Sequence, residues 1–198
     1  MALLAEELVE EWLNRTGYFT IRGVKLGVHE IDLLAIRPVH GRLECRHFEV
    51  QASVRPVSYV TRVPKDIQKA TGRAAASAKS RTDEELRQGI KEWVHKKFDH
   101  PAKNALRNRL APGPWSRELV LHQVKFEREV ELVREAGITV HRLAALLTEL
   151  NSKKLFLEGA AGAHLVDLVS MTASSMTKAM PNIGLQPTPA DGIVGRRG

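Results

Sequence analysis

Asp32 and Glu49 are the two residues whose setting most demands a chemical explanation. Each is an acid inside a run that otherwise reads as a buried strand: Asp32 within residues 30–36 (EIDLLAI), and Glu49 between Phe48 and Val50. An ionised carboxylate in such a place is costly unless it is paired or bound to a metal. The two runs are joined by Pro38-Val39-His40-Gly41, which reads as a tight hairpin turn, so the strands should be adjacent and antiparallel. Two acids at neighbouring strand positions repel. A divalent cation relieves both problems, and hard oxygen ligands suit Mg²⁺ or Mn²⁺. Gln51 lies two residues beyond Glu49, on the same strand face, within reach of a bound water or phosphate. The Val50 carbonyl is a further candidate ligand, and glutamates of the first helix could complete the shell. Such a metal lowers the pKa of its water, stabilises the oxyanion of an in-line displacement and positions a phosphate. The plainer alternative is two acids that face solvent or pair with arginine.

The elements that must position these residues follow from periodicity. Leu4, Leu8, Val9, Trp12 and Leu13 give residues 3–16 an amphipathic helical pattern that stops at Gly17. Tyr18 to Lys25, His29 to Ile36 and Leu43 to Val50 read as three strands. On the third, Leu43, Cys45, His47 and Glu49 share one face. Pro56 and Pro64 bracket a loop. Residues 65–79 read as a helix. A longer helix follows from a Thr82-Asp83 cap to about residue 100, with Leu86, Ile90, Trp93, Val94 and Phe98 on one face. Residues 102–110 form a short basic helix, and Pro112-Gly113-Pro114 is a break. A fourth strand (118–124), a helix ending near Gly137, a short strand (138–140) and helices at 143–150 and 155–171 complete the order. From Thr172 onward the chain is small, polar and rich in Pro and Gly, which predicts a disordered tail over 172–198. The pattern implies one α/β domain over 1–170, with a central mixed sheet of four to five strands flanked by helices.

Charge supplies a second functional signal. The chain of 198 residues has a formal net charge of +7. Thirteen basic and six acidic residues fall between Arg62 and Arg109, so that segment alone carries +7 and the rest sums to zero. A focused basic segment over 62–110, read as a helical insertion, is an electrostatic footprint for a polyanion such as DNA. Lys65, Lys69, Arg73, Lys79 and Arg81 are its candidate DNA contacts. A solvated helical face is the alternative. The single cysteine, Cys45, excludes a disulfide framework and a Cys-based zinc cluster, and fits a reducing cytoplasm. The N-terminus carries glutamates where a signal peptide needs basic and then apolar residues, and the apolar stretches fall far short of a membrane span. No membrane partner is expected.

Residues 3–53 resemble the core of the PD-(D/E)xK nuclease superfamily, the restriction-endonuclease-like fold. They are most similar to archaeal Holliday-junction resolvases and related small endonucleases. The segments that carry the resemblance are AEELVEEWLNRTGYF, GVHEIDLLAI and CRHFEVQAS. The resemblance implies a three-layer fold and a metal-dependent DNA phosphodiesterase. Asp32 and Glu49 would be ligands of Mg²⁺ or Mn²⁺, and Glu6, or Glu10 one turn later, a ligand or water-orienting residue. Gln51 would stand where the family usually has lysine. Glutamine supplies hydrogen bonds without charge and stabilises developing negative charge less well. Lys69 and Lys25 are the lysines proposed to reach the site from elsewhere, with Gln68 a further polar candidate. Resolvase-like proteins usually act as dimers, to which the apolar stretch 160–169 could contribute.

Other residues carry less. His29, His47, His95, His122 and His141 show no metal-ligand spacing, and Ser53 and Cys45 lack a visible base partner. Trp93 fits core packing, and Trp115 could stack on a base. Three functions therefore stand against one another: a DNA endonuclease, a DNA-binding module of the same fold that has lost efficient catalysis at Gln51, and a protein unrelated to nucleic acid with a structural acid pair.

Overall fold

The computed structural model describes residues 2–53, 55–152 and 155–179. Helix α1 (Ala2–Arg15) buries Ala5, Leu8, Val9, Trp12 and Leu13. It ends where Gly17 adopts a positive φ of 88° and the Tyr18 amide turns back to the Leu13 carbonyl at 3.0 Å, a common way to satisfy the last free carbonyls of a helix. Strands β1 (Phe19–Leu26), β2 (His29–Val39) and β3 (Arg42–Gln51) then form an antiparallel meander. His40 and Gly41 both take positive φ (48° and 75°), as a two-residue hairpin turn requires.

The chain next leaves the sheet through α2 (Lys65–Thr71), α3 (Asp83–Lys97) and α4 (Pro101–Leu110). It returns as β4 (Ser116–Leu121), parallel to β3, passes through α5 (Glu127–Glu135), and adds β5 (Thr139–Arg142) parallel to β4. The sheet order is β1-β2-β3-β4-β5, a five-stranded mixed sheet. Helices α6 (Leu143–Leu150) and α7 (Ala163–Ala179) close the described chain. Among the described residues no helix is long and apolar enough to cross a membrane.

Alternation along the strands divides the core in two, giving a three-layer α/β arrangement. On one face Leu33, Ala35, Phe48, Val50 and Val120 pack against α1, α6 and α7. On the other, Leu119 and Leu121 pack against Leu86, Ile90, Trp93, Val94 and Phe98 of the α3 segment and Val130, Leu132 and Val133 of α5. Residues 62–110, read from sequence as a helical insertion, thus carry part of a core, and Trp93 belongs to it. The stretch 160–169 contributes Val166 to the first core, with Leu165 packed against it.

Two helix boundaries differ from expectation. The helix expected over 65–79 ends at Thr71, because Gly72 caps it in the left-handed conformation (φ 66°) and α2 buries none of its residues. Helix α7 starts later than 155 and runs through Ala179, past the boundary expected at 171. Residues 180–198 of the expected tail lie outside the described residues.

Candidate functional site

The site forms where β2 begins and β3 ends. Leu33 pairs with Phe48, and the same register sets Asp32 directly across from Glu49. Both side chains leave the sheet on the face opposite α1, because Leu33 and Phe48, one position away on each strand, belong to the α1 core. The Val50 amide donates to Asp32 Oδ2 at 2.7 Å, fixing that carboxylate against β3. Amide and carbonyl of one strand residue point to the same side, so the Val50 carbonyl is also directed toward β2.

Helices α3 and α4 deliver two lysines to this pair. Lys97 Nζ lies 2.5 Å from Glu49 Oε2, and Lys103 Nζ lies 2.9 Å from Glu49 Oε1. Glu49 itself is fully buried. The two lysines differ in setting. Lys103 is 1% exposed and also donates to the Lys97 carbonyl at 2.7 Å, whereas the Lys97 side chain is 28% exposed. Helix α3 is held by a complete capping box between Thr82 and Glu85, and α4 by the His100 ring accepting from the Ala102 amide. Lys103 and Arg107 lie one turn apart on the buried face of α4. Arg107 donates to His47 Nδ1 at 3.0 Å and to the Phe98 carbonyl at 2.9 Å.

His47 is completely buried beside Glu49, with Nε2 3.3 Å from Glu49 Oε1 but off hydrogen-bond alignment. Burial, reinforced by Arg107, Lys103 and Lys97, pushes its pKa well below the ordinary histidine value. Arg107 can only donate, so the Nδ1 lone pair is occupied and His47 cannot serve as a base.

Electrostatics mark Asp32 as the strained member of the set. Burial raises its pKa to about 6, the Glu49 charge adds to this, and Lys97 and the Val50 amide oppose it. Glu6, half-buried on α1, is raised by burial and then by Asp32 and Glu30, with Glu49 contributing, so it borders the same acidic region. For Lys97, burial disfavours the ammonium, and the Glu49 and Asp32 charges outweigh burial to raise its pKa. For Lys103, burial wins over Glu49 and the pKa falls. At the rim, the His29 ring of β2 lies against that of His100, tilted by 33° with ring centroids 3.7 Å apart.

These positions sort the sequence candidates. Asp32, Glu49, the Val50 backbone and Glu6 share one region, whereas Glu10 accepts from Thr20 and Arg22 on β1 and is spent there. Gln51 has a partner outside the acid pair: its amide donates to the Val60 carbonyl at 3.4 Å. That loop is itself pinned by Glu129, which accepts from the Val60 and Thr61 amides and the Thr61 hydroxyl. Neither proposed lysine reaches the site. Lys25 pairs with Glu30 at 2.6 Å, and Lys69 is exposed on α2. Gln68 donates to the Val63 carbonyl. Of the five candidate DNA contacts, Lys65, Lys69 and Lys79 are exposed. Arg73 is committed to Glu85 at 2.8 Å, and the buried Arg81 to the Thr61 carbonyl at 3.0 Å, because both hold the 61–81 segment together. Trp115 donates to the Ala111 carbonyl. His141, one of the histidines without metal-ligand spacing, lies 2.7 Å from Glu118 on the opposite sheet face.

Lys97 and Lys103 are the residues that sequence reasoning missed. Nothing local marks them: α4 (PAKNALRNRL) carries Ala102, Leu106 and Leu110 at helical spacing, yet the residues it buries are Lys103 and Arg107.

The donor set can be tested against a divalent cation. Among the described residues no three His, Cys, Asp or Glu side chains converge closely enough to hold a metal by themselves. Mg²⁺ typically takes one or two carboxylates and completes its shell with waters and substrate phosphate. Two opposed carboxylates, the raised pKa of Asp32 and a carbonyl directed to the same side fit that mode.

No family model matches this chain, and no curated protein does. Among solved structures, it is similar to the crystal structure of AF1548, a protein of unknown function. The identity is 12% and the TM-score 0.42, with 75% of this chain and 66% of that chain covered.

Proposed function

We propose that this protein is a divalent-metal-dependent DNA endonuclease of the PD-(D/E)xK kind, in which Lys97 supplies the charge that Gln51 does not. The observation that carries the reading is the opposed pair Asp32 and Glu49, with the Lys97 ammonium 2.5 Å from Glu49 and partly open to solvent. The resemblance of residues 3–53 and the exposed Lys65, Lys69 and Lys79 support it. Asp32 and Glu49 would hold the ion, aided by the Val50 carbonyl, and Glu6 would act through its bound water. A divalent ion there would supply Lewis-acid stabilisation of the phosphate and a more acidic water. Lys103, 2.9 Å from Glu49 Oε1, holds that carboxylate in orientation. Lys97 would grip a phosphate oxygen through a charge-assisted hydrogen bond. Neutral His47 serves as packing and orientation. Lys65, Lys69 and Lys79 would bind the DNA backbone, giving an affinity that falls steeply with salt.

The experiment is a nuclease assay on supercoiled plasmid, linear duplex and four-way-junction DNA over a panel of Mg²⁺, Mn²⁺ and Ca²⁺. Metal-dependent cleavage that Asp32→Ala abolishes supports the assignment, and equal nicking by both proteins overturns it. A second reading, a DNA-binding module without turnover, is favoured by one observation: both Glu49 oxygens already carry an ammonium. It predicts salt-dependent DNA binding and no cleavage with any metal.

A further inference from the structure

We propose that Lys97 is a built-in competitor for the cation position: its ammonium occupies Glu49 Oε2 and must leave for a divalent ion to bind there. The inference rests on the reading of Asp32 and Glu49 as metal ligands and concerns what controls that site. Glu49 is fully buried, and its two oxygens are taken by two lysines. Asp32, Glu49, Lys97 and Lys103 form a neutral set of two carboxylates and two ammoniums. A divalent cation added to that set leaves it doubly positive in a poorly solvated place, which is unfavourable. One ammonium must therefore go, and the structure distinguishes which one.

Lys103 is enclosed, and it has a second acceptor in the Lys97 carbonyl at 2.7 Å. Lys97 is the last residue of α3, its side chain has an opening to solvent, and among the described residues its ammonium donates to Glu49 alone. A lysine ammonium is a compact, strongly hydrated charge on a flexible stem, suited to moving a few ångströms into water. After Lys97 leaves, the set of Asp32, Glu49, Lys103 and the ion carries one net positive charge. A phosphodiester with its single negative charge matches it, and the freed Lys97 lies at the mouth to meet that same group. Metal binding without substrate is then disfavoured, and metal and phosphate bind cooperatively.

The test is Mn²⁺ binding to the full chain without DNA, read from the free-ion electron paramagnetic resonance signal, for wild type, Lys97→Met, Lys97→Arg and Asp32→Asn. Lys97→Met should bind Mn²⁺ about ten-fold more tightly than wild type, at the lower end of the range over which outer-shell partners tune metal affinity. Lys97→Arg, which keeps the competing charge, should bind no more tightly than wild type. Asp32→Asn should lose binding. Unchanged or weaker affinity in Lys97→Met, with binding still lost in Asp32→Asn, overturns the competition and leaves the metal site standing. Binding that Asp32→Asn does not alter, or no binding by any of the proteins, overturns both. Circular dichroism of each variant establishes that it is folded.

Discussion

Asp32→Asn should make this protein more stable while removing its proposed function. Burial and the Glu49 charge raise the Asp32 pKa from 3.8 to about 6, against the opposing pull of Lys97 and the Val50 amide. Between those values the folded chain binds a proton that the unfolded chain does not, so stability falls as pH rises through this window. Above pH 6 the full cost of holding a charged Asp32 is present. At about 1.4 kcal/mol per pKa unit it reaches at most about 3 kcal/mol. Asparagine has the shape of the neutral acid, and its carbonyl can still accept from the Val50 amide. The expected gain at about pH 7.5 is roughly 1–3 kcal/mol, which for a chain of this length raises the melting temperature by about 3–10 °C. The gain should shrink as pH falls through about 6 and vanish below about 4, where wild type is protonated in both states. Thermal melts followed by circular dichroism at about pH 7.5, 5.5 and 4 measure it. An Asp32→Asn protein that melts at or below wild type at the highest pH, or a difference that does not change with pH, refutes the reasoning.

Two further outcomes follow from the buried charges. Lys103→Met leaves the enclosed Glu49 with Lys97 alone and removes a donor to the Lys97 carbonyl; guanidinium unfolding should show a loss of about 3–5 kcal/mol, most of it recovered in Lys103→Met/Glu49→Leu. On the other sheet face, burial works against the Glu118 charge, but hydrogen bonds from His141, Arg46 and Ser116 hold its pKa down at about 2. Its stabilisation is therefore complete above the ordinary carboxylate range and lost as pH falls toward 2, so Glu118→Gln should cost about 2–3 kcal/mol at neutral pH and progressively less in acid unfolding titrations.

What the sequence disclosed depended on how local each cause was. Asp32 and Glu49 were legible because a charge in an apolar strand stands out, and because a short hairpin fixes which residues face each other. The mixed sheet was legible from the change between a hairpin-linked meander and helix-linked crossovers. Lys97 and Lys103 were not, since nothing local distinguishes a lysine that will be buried against an acid some fifty residues earlier from one on the surface. Gln51 stands at the motif position, yet Glu129 draws the 60–61 loop beside it and gives its amide another partner. Glu129 itself reads as one more surface glutamate in a charged helix and is fully buried. Arg73 and Arg81 contribute to a basic run that predicts DNA contact, but the segment that contains them needs their hydrogen bonds to hold its own shape. Gly72 shortened α2 through a left-handed cap that alanine-rich flanks concealed.

The central claim is that Asp32 and Glu49 together support metal-dependent phosphodiester cleavage. Its most direct test is the single-turnover conversion of supercoiled plasmid to nicked circles in Mn²⁺, comparing wild type with Glu49→Gln, with each protein shown to be folded and to bind DNA. Cleavage by wild type that stops with chelator and is lost in Glu49→Gln is the predicted result. DNA binding by both proteins without cleavage by either, or equal cleavage by both, would contradict it.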